Sequence, residues 1–124
     1  MKYHSAVYMP KIRARSILLE YSNHALESAR DDYYANLTRD LPRSVDTSQV
    51  LIVEAETQVN QAGKEELTKL VVRGNLDERL DLCLAIVPKC GDTWTVKTVW
   101  ANESRDNHRS LRNRHEYATG PRAA

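Results

Sequence analysis

Residues 80–111, LDLCLAIVPKCGDTWTVKTVWANESRDNHRSL, run two strand-like stretches directly into a polar cluster of Asn102, Arg105, Asp106, Asn107, His108, Arg109 and Ser110. Imidazole, guanidinium and hydroxyl groups gathered where a sheet ends can do acid–base work. Cleavage of RNA beside a 2′-hydroxyl needs a base for that proton, a cation for the phosphate charge and an acid for the leaving oxygen. Histidine, arginine or lysine, and tyrosine supply these roles. The candidates for catalysis are therefore His108, Arg73, His24 and Tyr117, and those for RNA binding are Lys97, Thr98, Arg105, Arg109 and Ser110. Each has a plainer account beside it. His24 can decorate an exposed helix start, Arg73 can pair with an acid such as Asp81, Tyr117 can anchor the tail, and His108 can cap a surface loop. Trp94 and Trp100 could stack single-stranded bases, or fill the core of a small sheet.

Other chemistries find little footing. The chain has no Gly-rich phosphate loop, no HExxH, no paired CxxC and no calcium loop. His108 and His115 could share a metal with Asp106 only if their region were helical, and it reads as loop; no metal and no cofactor are expected. Cys83 and Cys90 would stand about 20 Å apart along a strand, beyond disulfide reach, so reduced thiols are expected.

The 124 residues suffice for one domain over 1–124, with the basic segment 1–15 and the tail 118–124 expected at its periphery. The formal charge of +1 hides an uneven distribution. Lys2, Lys11, Arg13 and Arg15 open the chain without an acid, arginines recur after Glu103, and the acids concentrate between Glu20 and Asp92. Such asymmetry allows a basic surface on a nearly neutral protein; solvated tails are the alternative. No apolar run approaches ~18 residues and no signal-peptide pattern opens the chain, so a cytoplasmic location away from membranes is expected.

These groups must be positioned by regular elements. Residues 12–21 read as a short strand, followed by Ser22 or Asn23 as a helix N-cap. Ala25, Leu26, Ala29, Tyr33 and Leu37 then recur at helical spacing. From residue 49 the period changes to two. Strands are predicted over 50–59, 67–73, 80–87 and 94–102, with turns at Asn60-Gln61-Ala62-Gly63, at Gly74-Asn75 and across 88–92. In the last two strands, Leu80, Leu82, Leu84 and Ile86 form one face, and Trp94, Val96, Thr98 and Trp100 another. The expected fold is α+β, an N-terminal helix packed on a four-stranded antiparallel meander. Such a meander leaves two unpaired edges, which points to a homodimer.

Several short stretches resemble a known group. Lys69-Leu70-Val71-Val72-Arg73, Glu78-Arg79-Leu80-Asp81-Leu82, Val96-Lys97-Thr98-Val99-Trp100-Ala101-Asn102 and Asp106-Asn107-His108-Arg109-Ser110-Leu111 are similar in order to small bacterial and phage-encoded proteins. Those carry an RDL strand, then V-x-TVW-x-N, then D-x-H-x-TL, the pattern of the RelE- and BrnT-like ribonuclease toxin superfamily, which includes barnase and certain colicins. The resemblance covers residues 22–117, with Arg79-Leu80-Asp81 in place of Arg-Asp-Leu and Ser110 in place of Thr. It implies a helical part on a four-stranded antiparallel sheet, metal-free RNA cleavage and roles for His24, Arg73, Thr98, His108 and Tyr117. RNA or the ribosome, and an antitoxin, would be the partners. The competing reading is a non-enzymatic phage or mobile-element accessory protein that binds and modulates a host protein. DNA binding through the basic termini is a third, opposed by the near-neutral charge.

Overall fold

The computed structural model describes residues 12–105 and the backbone of Lys2–Tyr3. The elements are β1 (Lys2–Tyr3), β2 (Ser16–Tyr21), α1 (Asn23–Arg30), a 3-10 turn at Thr38–Asp40, β3 (Ser44–Asp46), β4 (Leu51–Val59), β5 (Glu65–Asn75), β6 (Leu80–Cys90) and β7 (Thr93–Glu103). They build one sheet in the order β1-β4-β5-β6-β7-β2-β3. Every neighbouring pair is antiparallel except β2 and β7, which run parallel.

This corrects the expectation of a helix on a four-stranded antiparallel meander. β4 to β7 do follow one another by hairpins, but each of their outer edges gains a further strand along part of its length. Residues 18–21 of β2 pair with 93–96 of β7, and β1 meets β4 at Glu56 and Thr57. The alternation of buried Ile17 and Leu19 with exposed neighbours explains β2: extending the sheet buries one row of its side chains on the core. β1 covers the outer edge of β4 only at Glu56 and Thr57, and β2 covers that of β7 only over residues 93–96.

The sheet curls, and its concave face holds the main core. Ile17, Ile52, Leu70, Leu84, Ile86 and Val96 are buried there with Ala25 and Ala29 of α1. Ser22 caps α1, its Oγ accepting from Ala25 N at 3.0 Å. The helix ends at Arg30, short of the predicted face, and Leu26 and Tyr33 are exposed. Asp31, Asp32, Tyr33 and Tyr34 are mediocre helix formers. Asp32 is also engaged elsewhere, its Oδ1 accepting from Ala101 N at 3.0 Å. With Ser28 Oγ accepting from Val99 N at 3.1 Å, α1 and the following turn satisfy the stretch of β7 edge that β2 does not reach.

A bulge decides which tryptophan is in the core. Val96 pairs with Ile86 but Thr98 pairs with Ala85, leaving Lys97 as an extra residue. Alternation reverses there. Trp94 and Val96 share the concave core with Val99 and Ala101, whereas Trp100 packs with Val53, Val71 and Ala85 on the opposite face. The single face predicted for Trp94, Val96, Thr98 and Trp100 is broken for this reason.

The turns also shift. Gly74-Asn75 lies within β5, and the chain reverses over residues 76–79, where Asp77 Oδ1 accepts from Arg79 N and Leu80 N at 2.8 Å each. Those two bonds hold the Asp77 carboxyl below its usual range. Gly91, with φ of +55°, supplies the left-handed backbone that the tight hairpin into β7 requires. Part of the basic segment 1–15 is tied to the body. Ile12 packs on the core, Arg15 N donates to Thr47 Oγ1 at 3.0 Å, and the Arg15 guanidinium lies 5.6 Å from the Trp94 ring centroid. The tail 118–124 is outside the described residues. Cys83 is buried, Cys90 exposed, and neither is in a disulfide. Among the described residues no helix is long and apolar enough to cross a membrane.

Candidate functional site

The face of the sheet opposite α1 is where strand-borne polar groups meet. Register places Arg73 of β5 beside Cys83 of β6, and Cys83 beside Trp100 of β7. The next row out is Asn75, Asp81 and Asn102; the next row in is Val71, Ala85 and Thr98. These side chains share a face because all three strands keep a period of two across this stretch.

Arg73 and Asp81 form the centre of the cluster. Arg73 Nε donates to Asp81 Oδ2 at 2.7 Å, and the two side chains are 4% and 0% exposed. Arg73 Nη2 donates to the carbonyl of Glu103 at 2.9 Å, at the end of β7. The other carboxylate oxygen of Asp81 accepts from Ser104 Oγ at 3.0 Å and from Asn75 Nδ2 at 3.4 Å. Asn102 Nδ2 stands 3.8 Å from Cys83 Sγ. Further along the same face Lys69 Nζ lies 3.2 Å from Glu54 Oε1. A buried guanidinium and carboxylate tolerate removal from water only when bonded to each other and to further groups, and this pair is.

The cluster therefore brings no net charge to the face. Its effect is geometric: through Glu103 and Ser104 it fixes the direction in which the chain leaves β7. Arg73 is thus engaged with Asp81, the structural role weighed beside the catalytic one. His24 is exposed in the first turn of α1, on the concave side, so Arg73 and His24 lie on opposite faces of the sheet and are not brought together. Thr98 is on the Arg73 face, one row in. Lys97 is exposed in the bulge, and Arg105 is exposed one residue beyond Ser104. His108, Arg109, Ser110 and Tyr117 lie outside the described residues.

Asn75, Glu103 and Ser104 were not among the sequence candidates. The signal that could have found Ser104 and Asn75 is strand register, since Asn75 stands directly across from Asp81 and Ser104 lies two residues beyond Asn102, the partner of Asp81 on β7. Among the described residues no group of three or more His, Cys, Asp and Glu side chains is arranged to hold a metal ion. Comparison with family models, curated proteins and solved structures finds no match to this chain.

Proposed function

We propose that this protein is a small RNA-binding and RNA-cleaving protein of ribonuclease-toxin type, working by acid–base chemistry with its site where β7 ends on the Arg73 face. One observation carries the reading: the bonds from Arg73 to Glu103 and from Ser104 to Asp81 pin the start of the segment that bears His108. His108 follows Ser104 by four residues, a length of chain that spans at most about 14 Å, so its imidazole can work beside the cluster. In this reading Arg73 is a positioning residue.

The chemistry then divides among this chain's own groups. His108 takes the proton of the ribose 2′-hydroxyl, and the 2′ oxygen bonds to phosphorus as the bond to the 5′ oxygen breaks. Tyr117 returns a proton to that leaving oxygen, giving a cyclic phosphate and a free 5′-hydroxyl. Lys97, Arg105 and Arg109 offset the phosphate charge, Thr98 and Ser110 offer hydroxyls, and the half-buried ring of Trp100 offers a stacking surface for a base.

The test is cleavage of purified RNA, free and ribosome-bound. Wild-type protein is expected to leave cyclic phosphate ends, and His108→Ala to abolish cleavage with the circular dichroism spectrum unchanged. Lys97→Ala with Arg105→Ala should weaken RNA binding and flatten its salt dependence by about one unit of slope per lost phosphate contact. Wild-type protein that neither binds nor cleaves either RNA overturns the reading.

A second reading, a non-enzymatic protein that binds a host protein, is favoured by the loop after α1. Tyr33 is 90% exposed and stands edge-on to Tyr34 with ring centroids 4.9 Å apart. Exposed tyrosines are common anchors of protein interfaces. It predicts stoichiometric capture of one host protein, insensitive to RNase and lost in Tyr33→Ala.

A further inference from the structure

Gly74 sits inside β5, opposite Leu82 of β6, on the concave face. Neither backbone conformation nor packing calls for a glycine there. The left-handed glycines among the described residues are Gly63 and Gly91, and a Cβ on Gly74 would lie 3.7 Å from Val50 Cγ1, an ordinary contact. A strand position with room for a side chain carries none, which weakens the strand. Such a glycine often marks the close approach of a ligand or of another backbone.

What faces Gly74 is a cavity of about 270 Å³, half open to solvent. It lies between β3 and β5, which belong to opposite limbs of the curled sheet and do not pair with each other. Val45, Val50, Val72, Leu82 and Leu84 line it with Gly74. The polar side chains of the same strands turn elsewhere. Val45 is buried between exposed Ser44 and Asp46, so alternation directs those two away from the cavity. The Asp46 carboxylate is engaged by its own turn, its Oδ1 accepting from Ser48 N at 2.9 Å and from Ser48 Oγ at 2.7 Å. Asn75 belongs to the opposite face, where its Nδ2 donates to Asp81 at 3.4 Å. At the rim, exposed Asp40 shares its loop with exposed Arg39 and Arg43, so neither sign of charge prevails there.

We propose that this cavity binds a small, uncharged, apolar molecule of one or two rings, held by shape and burial alone. An apolar protein cavity of about 150 Å³ takes up benzene, so this one has room for a molecule nearly twice that size. Charged or strongly polar ligands are rejected, because the valines and leucines of the wall return no hydrogen bond for the water such a group gives up. The open side gives the ligand its way in. Because the walls come from both limbs, a bound molecule joins β3 to β5 where no backbone pairing does. This site is on the opposite face from Arg73 and stands independently of the RNA reading.

Naphthalene, 2-naphthoate and 2-naphthylmethylammonium, which share one ring system and differ in charge, provide the probe set. Each is titrated into the 15N-labelled full chain while the amide resonances of Val45, Val72 and Leu84 are followed. Naphthalene should shift them saturably and leave Gly63, at the tip of the hairpin joining β4 to β5, unmoved. Both charged analogues should bind at least tenfold more weakly. Gly74→Val should fill the cavity and remove binding; should that variant fail to fold, Val50→Phe at the half-buried wall carries the same expectation. No saturable shift, equal affinity for either charged analogue, or unchanged binding in the filled variant overturns the proposal.

Discussion

On the concave face, β4 to β7 bury Ile52, Leu70, Ile86 and Val96 against α1, whereas on the opposite face the same strands bury Glu54, Glu56, Arg73 and Asp81 around a small cluster of Val53, Val71 and Ala85. Both faces exclude water, by means that respond differently to change. Apolar contact is non-directional, so the concave face accepts some rearrangement as long as volume is kept. The ionic face is directional. A register slip of one residue between β5 and β6 would carry Arg73 away from Asp81 and strand two charges. The concave face thus supplies most of the driving force for folding, and the opposite face ties the strands to one register and fixes how the chain leaves β7.

The strongest way to break this comparison is to remove one charge. Asp81→Ala is expected to destabilise the protein by about 3–5 kcal/mol, because Arg73 is left buried and uncompensated. Urea denaturation measures it. The paired replacement Arg73→Met with Asp81→Leu should restore stability to near that of wild type, since apolar groups of similar size satisfy a buried site without an ion pair. That double variant also tests the proposed RNA reading apart from stability: it is expected to fold yet to lose the anchors on Glu103 and Ser104, so under that reading RNA binding should fall. A single-variant cost below about 1 kcal/mol would mean that solvent reaches the pair.

The same contrast explains what could be read from the chain. Period-two patterning located β4 to β7 because each buries a row of Val, Ile and Leu, and Leu80, Leu82, Leu84 and Ile86 all lie on the concave face. It could not report that β2 pairs in parallel with β7, since residues 16–21 pattern alike whether they lead into a helix or extend a sheet. Nor could it see the Lys97 bulge, which leaves no compositional mark and sends Trp100 to the other face. Helical spacing overstates the length of α1 because Tyr33 and Leu37 keep register with Ala29 although the chain turns back: Leu37 N donates to Ala29 O at 2.9 Å. Of the candidate site, the Arg73–Asp81 pairing was legible as an alternative. The separation of Arg73 from His24 was not, because it depends on which face α1 covers.

A smaller effect sharpens the comparison by loosening one face alone. Ser22→Ala removes the N-cap of α1 and should cost about 1 kcal/mol. Hydrogen exchange should speed at Val99 and Ala101, whose amides donate to Ser28 and Asp32. Amides of Arg73 and Cys83, in the central strand ladders, should keep their protection. Equal acceleration in both places would show the two faces opening as one unit.

The effect confined to the narrowest window is a slope in pH, and it too belongs to the concave face. Tyr21 packs against that core with its hydroxyl donating to the carbonyl of Pro42 at 2.5 Å, and burial pushes its pKa from 10.0 up to about 12. In the unfolded chain the phenol loses its proton near its ordinary value, so between pH 10 and 12 the folded state holds more protons than the unfolded one. Stability must then fall as pH rises through that window, and Tyr21 adds no pH dependence below it. Tyr21→Phe cannot ionise, so the difference in unfolding free energy between wild type and variant should shrink steadily from pH 10 upward. A difference that stays constant across the window would place the Tyr21 hydroxyl in water, and with it the junction of β2 and the chain at Pro42.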